Sequence, residues 1–166
     1  MSFNSHDDPI LDTEWASELQ KMLYNSTWAD DFSLQDIGEF ARYLMLRHFP
    51  KDFLIFGEGE QEAYMGIILK GSVEITKRDA SPSPKSKRLV LMGPGRAFGE
   101  LALVDGCPRS ASAKAREDVT FAALTREHYD KLCLENKTLA LKVSKIVARL
   151  ISFRLRKASE KLIEFL

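Results

Sequence analysis

One stretch of the chain gathers residue types that do chemistry together: Gly93, Gly95, Phe98, Gly99, Glu100, Leu101, Ala102, Arg109 and Ser110 all fall within 93–113. Gly99 removes a side chain where a helical turn over 101–104 would begin. Backbone N–H groups at a helix start lack intrahelical acceptors, which makes that start an anion site. Arg109 is expected on the next strand, after a short loop. Its planar fork of donors fits phosphate oxygens. Glu100 stands between the two and only accepts when ionised. A carboxylate beside a phosphate is repelled unless it faces a hydroxyl on the same ligand. One phosphate, one vicinal hydroxyl and apolar walls together describe a nucleotide.

The elements that must position these residues follow from hydrophobic period. Residues 1–42 read as an N-terminal helical segment. Trp15, Leu19, Met22 and Leu23 share one helical face. Asn25, Ser26, Asp30 and Asp31 break it, with Trp15 and Trp28 as packing anchors. Ser33 then caps a second helix, with Asp36 in its first turn and Leu34, Ile37, Phe40, Ala41 and Leu44 in its stripe. Residues 43–125 change to short apolar runs separated by turn residues, which predicts an antiparallel β jelly-roll barrel that holds the 98–113 stretch. The fold is therefore mainly β with flanking helices. The Pro- and Ser-rich 80–87 reads as a long, mobile, exposed loop between two strands.

Residues 126–166 predict a short helix with Tyr129 and Leu132 inward, then a long helix from Thr138. That helix contains neither Gly nor Pro. It carries two apolar stripes. Leu139, Val143, Ile146, Leu150 and Phe153 form one; Val147, Ile151, Leu155, Ala158, Leu162 and Leu166 form the other. One stripe suffices to pack on a single domain, so a second favours a homodimer through this helix over a helix folded wholly onto its own barrel.

Composition excludes several classes. Lys plus Arg and Asp plus Glu are 24 each, so net charge gives no footprint for nucleic acid or an anionic membrane. No apolar run approaches the roughly 20 residues that span a bilayer. Cys107 and Cys133 are isolated, as expected for free thiols in a reducing cytoplasm. His6, His48 and His128 are scattered, so no metal site is expected. Catalytic residues are expected to be none: there is no GxSxG, no GxxxxGK[ST], and no second carboxylate beside Glu100 for acid–base work.

FGELAL followed by PRSASA resembles the phosphate-binding cassette of the cyclic nucleotide-binding domain family. That family includes bacterial catabolite activator proteins, regulatory subunits of cyclic-nucleotide-dependent kinases, and cyclic-nucleotide-gated channels. DFLIFGEGEQEAYMGIILKGSVEI resembles the family's second to fourth strands, and the likeness runs over about 33–155. The resemblance implies roles. Phe98 is core and pocket wall, and Gly99 lets the ligand approach the backbone. Glu100 accepts from the ribose 2′-hydroxyl. Leu101 and Ala102 donate backbone N–H groups to the cyclic phosphate, Arg109 pairs with its charge, and Ser110 adds a polar contact. In the family the long C-terminal helix folds over the base; Arg149 or Arg154 is the candidate lid, and spacing does not choose between them.

The expectation is a cytoplasmic regulatory domain that binds cAMP or cGMP without a metal. It relays the signal by moving its C-terminal helix against a dimer mate or a separate effector protein. Two alternatives stand beside it. One is the sensor half of a transcription regulator whose DNA-binding helices are absent from this chain, which alone would not touch DNA. The other is a dimerisation module with a dead pocket.

Overall fold

A computed structural model describes residues 8–25, 31–79, 81 and 85–163. Trp28, Leu166 and most of the 80–84 stretch lie outside the described residues. In chain order the elements begin with β1 (Asp8–Pro9), a 3-10 turn (Ile10–Asp12), α1 (Trp15–Tyr24) and α2 (Leu34–Ala41). There follow β2 (Met45–Phe49), β3 (Leu54–Phe56), β4 (Tyr64–Lys70), β5 (Val73–Arg78), β6 (Ser86–Met92) and β7 (Ala97–Phe98). The chain then runs through α3 (Glu100–Asp105), β8 (Ser112–Ala115), β9 (Val119–Thr125), α4 (Arg126–Glu135) and α5 (Lys137–Ile163).

The strands form two antiparallel sheets, ordered β1-β2-β9-β4-β7 and β3-β8-β5-β6. They face each other as a jelly roll with helices at both ends, and the sheets stay open rather than closing into one continuous barrel. β4 and β9 are buried along nearly their whole length. Period-2 geometry explains how. Tyr64, Ile68, Phe121 and Ala123 point between the sheets and join Phe56, Val73 and Phe98. Met65, Ile67, Leu69, Ala122 and Leu124 point the other way, into a second core closed by the helices. Leu19 and Leu23 of α1, Ile37 and Phe40 of α2, Leu132 of α4 and Leu139, Val143 and Ile146 of α5 complete that second core.

Local signals account for the ends. Ser33 Oγ accepts from the Asp36 N–H while Asp36 Oδ2 accepts from the Ser33 N–H, a capping box that starts α2. β5 and β6 pair as a hairpin, Arg78 opposite Ser86, with the Asp79 N–H donating to Lys85 O at 3.0 Å. Two short strands, β1 and β7, have no counterpart in the sequence reading; two residues are too few for any period. The long helix spans 27 residues. Only its first part is covered: Leu139 to Val147 contribute five buried residues, whereas Leu155, Leu162 and Ile163 are exposed. Ion pairs tie α5 to the N-terminal region, Lys142 to Asp36 of α2 at 2.7 Å and Arg149 to Asp31 in the turn before α2 at 2.8 Å.

Candidate functional site

The site is built at the junction of β7 and α3. Gly99 is the N-cap of α3 and has a left-handed φ of 76°. A Cβ there would sit 2.7 Å from Arg109 Nη1 and 2.8 Å from Tyr64 O. Glycine is thus required twice, by the backbone angle and by the approach of the arginine. It also brings no capping side chain, so the first N–H groups of α3, those of Leu101 and Ala102 among them, are left for an outside acceptor.

Arg109 is only 3% exposed. It lies in the loop before β8, not on a strand as expected: β8 begins at Ser112. The loop is nonetheless fixed, because the Arg109 N–H donates to Glu60 O and the Gly59 N–H donates to Arg109 O, each at 2.8 Å. The guanidinium stacks over Phe56 (3.9 Å to the ring centroid) and Tyr64 (4.3 Å). Its Nη1 donates to Tyr64 O at 2.8 Å and to Gly99 O at 2.9 Å. Nε and Nη2 are buried with no acceptor among the described residues. Burial pushes the guanidinium pKa down from its ordinary value. An anion delivered to those two donors would reverse that penalty.

Glu100, 1% exposed, faces the same space. One of its oxygens pairs with Arg154 of α5; the other, Oε2, is buried without a donor. Arg154 also donates to Ala97 O. The cleft so formed holds about 210 Å³. Phe98, Gly99, Glu100, Leu101, Ala102, Arg109 and Ser110 all line it. Two unsatisfied donors, an unsatisfied carboxylate oxygen and free N–H groups therefore converge on one space with apolar walls. That donor set fits a phosphodiester with a neighbouring hydroxyl.

The structure separates the two candidate lid arginines. Arg154 lines the cleft; Arg149 pairs with Asp31 and lies off the cleft's lining. Ser110 is exposed, and its carbonyl accepts from Lys77 Nζ at 2.5 Å. The sequence reading missed the walls supplied by Phe56, Ile75, Leu89, Val90 and Met92, and the aromatic seat of Arg109. No local sequence signal marks these walls, because it is the tertiary placement of β6 that turns Leu89, Val90 and Met92 toward the cleft.

Among the described residues no cluster of His, Cys, Asp and Glu is arranged to hold a metal ion, and no helix is long and apolar enough to cross a membrane. Cys107 is exposed and Cys133 half-buried, both free.

Comparison with known proteins agrees with this geometry. The family profile described as cyclic nucleotide-binding domain matches residues 46–136. The chain is 28% identical over 130 residues to the CRP-like cAMP-activated global transcriptional regulator of Mycobacterium tuberculosis, covering 78% of this chain and 55% of that protein. It is 33% identical over 120 residues to the cyclic AMP receptor protein of Thermus thermophilus, covering 72% of this chain and 53% of that one. The chain thus spans about half the length of these curated relatives. Among solved structures, a cyclic nucleotide-binding domain from Methylobacillus flagellatus superposes with a TM-score of 0.81 at 25% identity, covering 92% of this chain and 85% of that one.

Proposed function

Since this chain belongs to the cyclic nucleotide-binding domain family, we propose that it is a non-catalytic sensor module for a cyclic mononucleotide, cAMP or cGMP. The observation that carries this reading is the buried Arg109 guanidinium, with Nε and Nη2 lacking acceptors beside the uncapped start of α3. Arg109 and the N–H groups of Leu101 and Ala102 hold the cyclic phosphate. Glu100 Oε2 accepts the ribose 2′-hydroxyl. Phe98, Val90 and Met92 flank the apolar part, and Arg154 closes the cleft from α5. The names of the curated relatives support cAMP as the ligand.

Signal relay follows from Arg154. It ties α5 to Glu100 and to Ala97 O. A ligand hydroxyl on Glu100 Oε2 uses the same carboxylate whose Oε1 holds Arg154, so ligand and ion pair are coupled and placements of α5 with and without that pair differ in ligand affinity. Such a difference is the sole means by which a ligand shifts a population. The exposed Leu155, Leu162 and Ile163 on the far half of α5 support a homodimer through that helix. The free thiols support a cytoplasmic location. Output passes to the dimer mate or to a separate effector.

Calorimetric titration with cAMP, cGMP and their 2′-deoxy forms tests the reading. Saturable binding of one of them, weakened by loss of the 2′-hydroxyl, is expected; silence with all four leaves a dimerisation module with a dead pocket. The dimer is tested by the double substitution Leu155→Glu with Leu162→Glu, which should give a folded monomer in sedimentation. A dimer that survives it has its interface elsewhere. A second reading rests on the relatives being about twice as long: this domain is the sensor half of a transcription regulator. A gene whose reading frame continues into DNA-binding helices would decide for it.

A further inference from the structure

Four arginines converge on a second groove, on the other side of Arg154. It holds about 380 Å³ between the segment entering β7 and the side of α5 turned toward it, and Arg96, Arg149, Arg154 and Arg156 line it. Helical spacing brings them together. Arg149, Phe153 and Arg156 stand at i, i+4 and i+7 on one face of α5, with Leu150 and Arg154 in the adjoining row. Arg96 comes from the opposite wall.

The charges do not balance. Arg149 is paired with Asp31 and Arg154 with Glu100. The side chains of Arg96 and Arg156 are exposed and have no hydrogen bond or ion pair among the described residues. Two uncompensated guanidiniums thus flank an apolar floor made by Leu150 and by Phe153, itself half exposed. A carboxylate would neutralise one of them. A phosphomonoester brings about −1.5 to −2 charges and acceptor oxygens suited to arginine forks. We propose that this groove binds a phosphomonoester carried on an aromatic or aliphatic body. Arg96 and Arg156 take the phosphate oxygens, and Phe153 and Leu150 receive the body.

The test titrates phenyl phosphate into the full chain at low ionic strength, by calorimetry and by amide chemical shifts. It is repeated in the Arg109→Ala background, so that the cleft of the proposed nucleotide site does not supply the binding. One saturable site in both backgrounds is expected. Arg96→Gln with Arg156→Gln, both at exposed positions, should weaken it about tenfold or more while the melting temperature holds. Inorganic phosphate, without the body, and benzoate, with a single charge, should bind more weakly than phenyl phosphate. A phosphotyrosyl peptide that binds tighter than phenyl phosphate assigns a modified side chain as the source; no gain assigns a free metabolite. The proposal is overturned if the wild type shows no saturation, or if the double glutamine variant binds equally well. It is also overturned if binding vanishes with Arg109→Ala alone.

Discussion

Two buried arginines stack on the same tyrosine and have opposite fates. Arg47, on β2, is 7% exposed and lies 4.4 Å from the Tyr64 ring centroid; its Nη1 is paired with Glu62 at 2.8 Å. Arg109, in the cassette loop, is equally hidden and lies 4.3 Å from the same centroid, yet two of its nitrogens have no acceptor. Burial alone therefore says little about function. A buried cation with its partner supplied by the chain is part of the fold. A buried cation with donors left over, beside N–H groups and a carboxylate oxygen that the described residues leave without partners, is organised for something that comes from outside.

This contrast breaks most readily at Arg109. Arg109→Ala should weaken cyclic nucleotide binding by about 2–5 kcal/mol, the range for truncating one partner of a buried charged pair; an unchanged Kd in calorimetry would remove its assigned role. Glu100→Ala should cost about 1–3 kcal/mol and bring the affinities for a nucleotide and its 2′-deoxy form together. Discrimination that persists means another group reads the ribose. Arg47→Met supplies the opposite pattern. Stability in urea should fall by about 1–2 kcal/mol, while ligand affinity stays within about twofold, because Glu62 returns to water and the cleft is untouched. A large affinity loss there would show that the two arginines are not separable.

The smallest effect sharpens the paired side of the contrast. Asp79 lies in the β5–β6 hairpin, where the Ser81 hydroxyl and then the Lys85 N–H hold its pKa down to about 2. A depressed carboxylate contributes stability that is present above its ordinary value of 3.8 and is lost as pH falls toward about 2. Asp79→Ala should speed amide exchange at Lys85 at neutral pH, and the wild type should show the same loosening only in that acid window. Exchange at Lys85 that ignores both would mean the turn is held by other contacts.

The cassette was legible because its chemistry is local. Gly99, Glu100 and Arg109 stand within eleven residues, and glycine at a left-handed N-cap leaves a mark in sequence. The strands were legible by period, but the two apolar stripes of α5 were not separable by spacing: Val147 of the second is buried in the domain's own core with Ile151 packed against it, and Phe153 of the first is half exposed. Other parts were not legible. β7 is too short to show a period, and Arg109 is held by bonds to Gly59 and Glu60 that no local pattern reveals. Arg149 and Arg154 look alike on a helix; the partner on another element, Asp31 or Glu100, tells them apart. The seat of Arg109 on Phe56 and Tyr64 is a tertiary fact, set by strands far away in the chain.

The most direct test follows the Arg109 Nε–H resonance by nitrogen-15 NMR as cAMP is added. The account predicts a saturable downfield shift of that one proton as its missing acceptor arrives, with no comparable change at Arg47. A resonance at Arg109 that stays in place while the protein is saturated would contradict it.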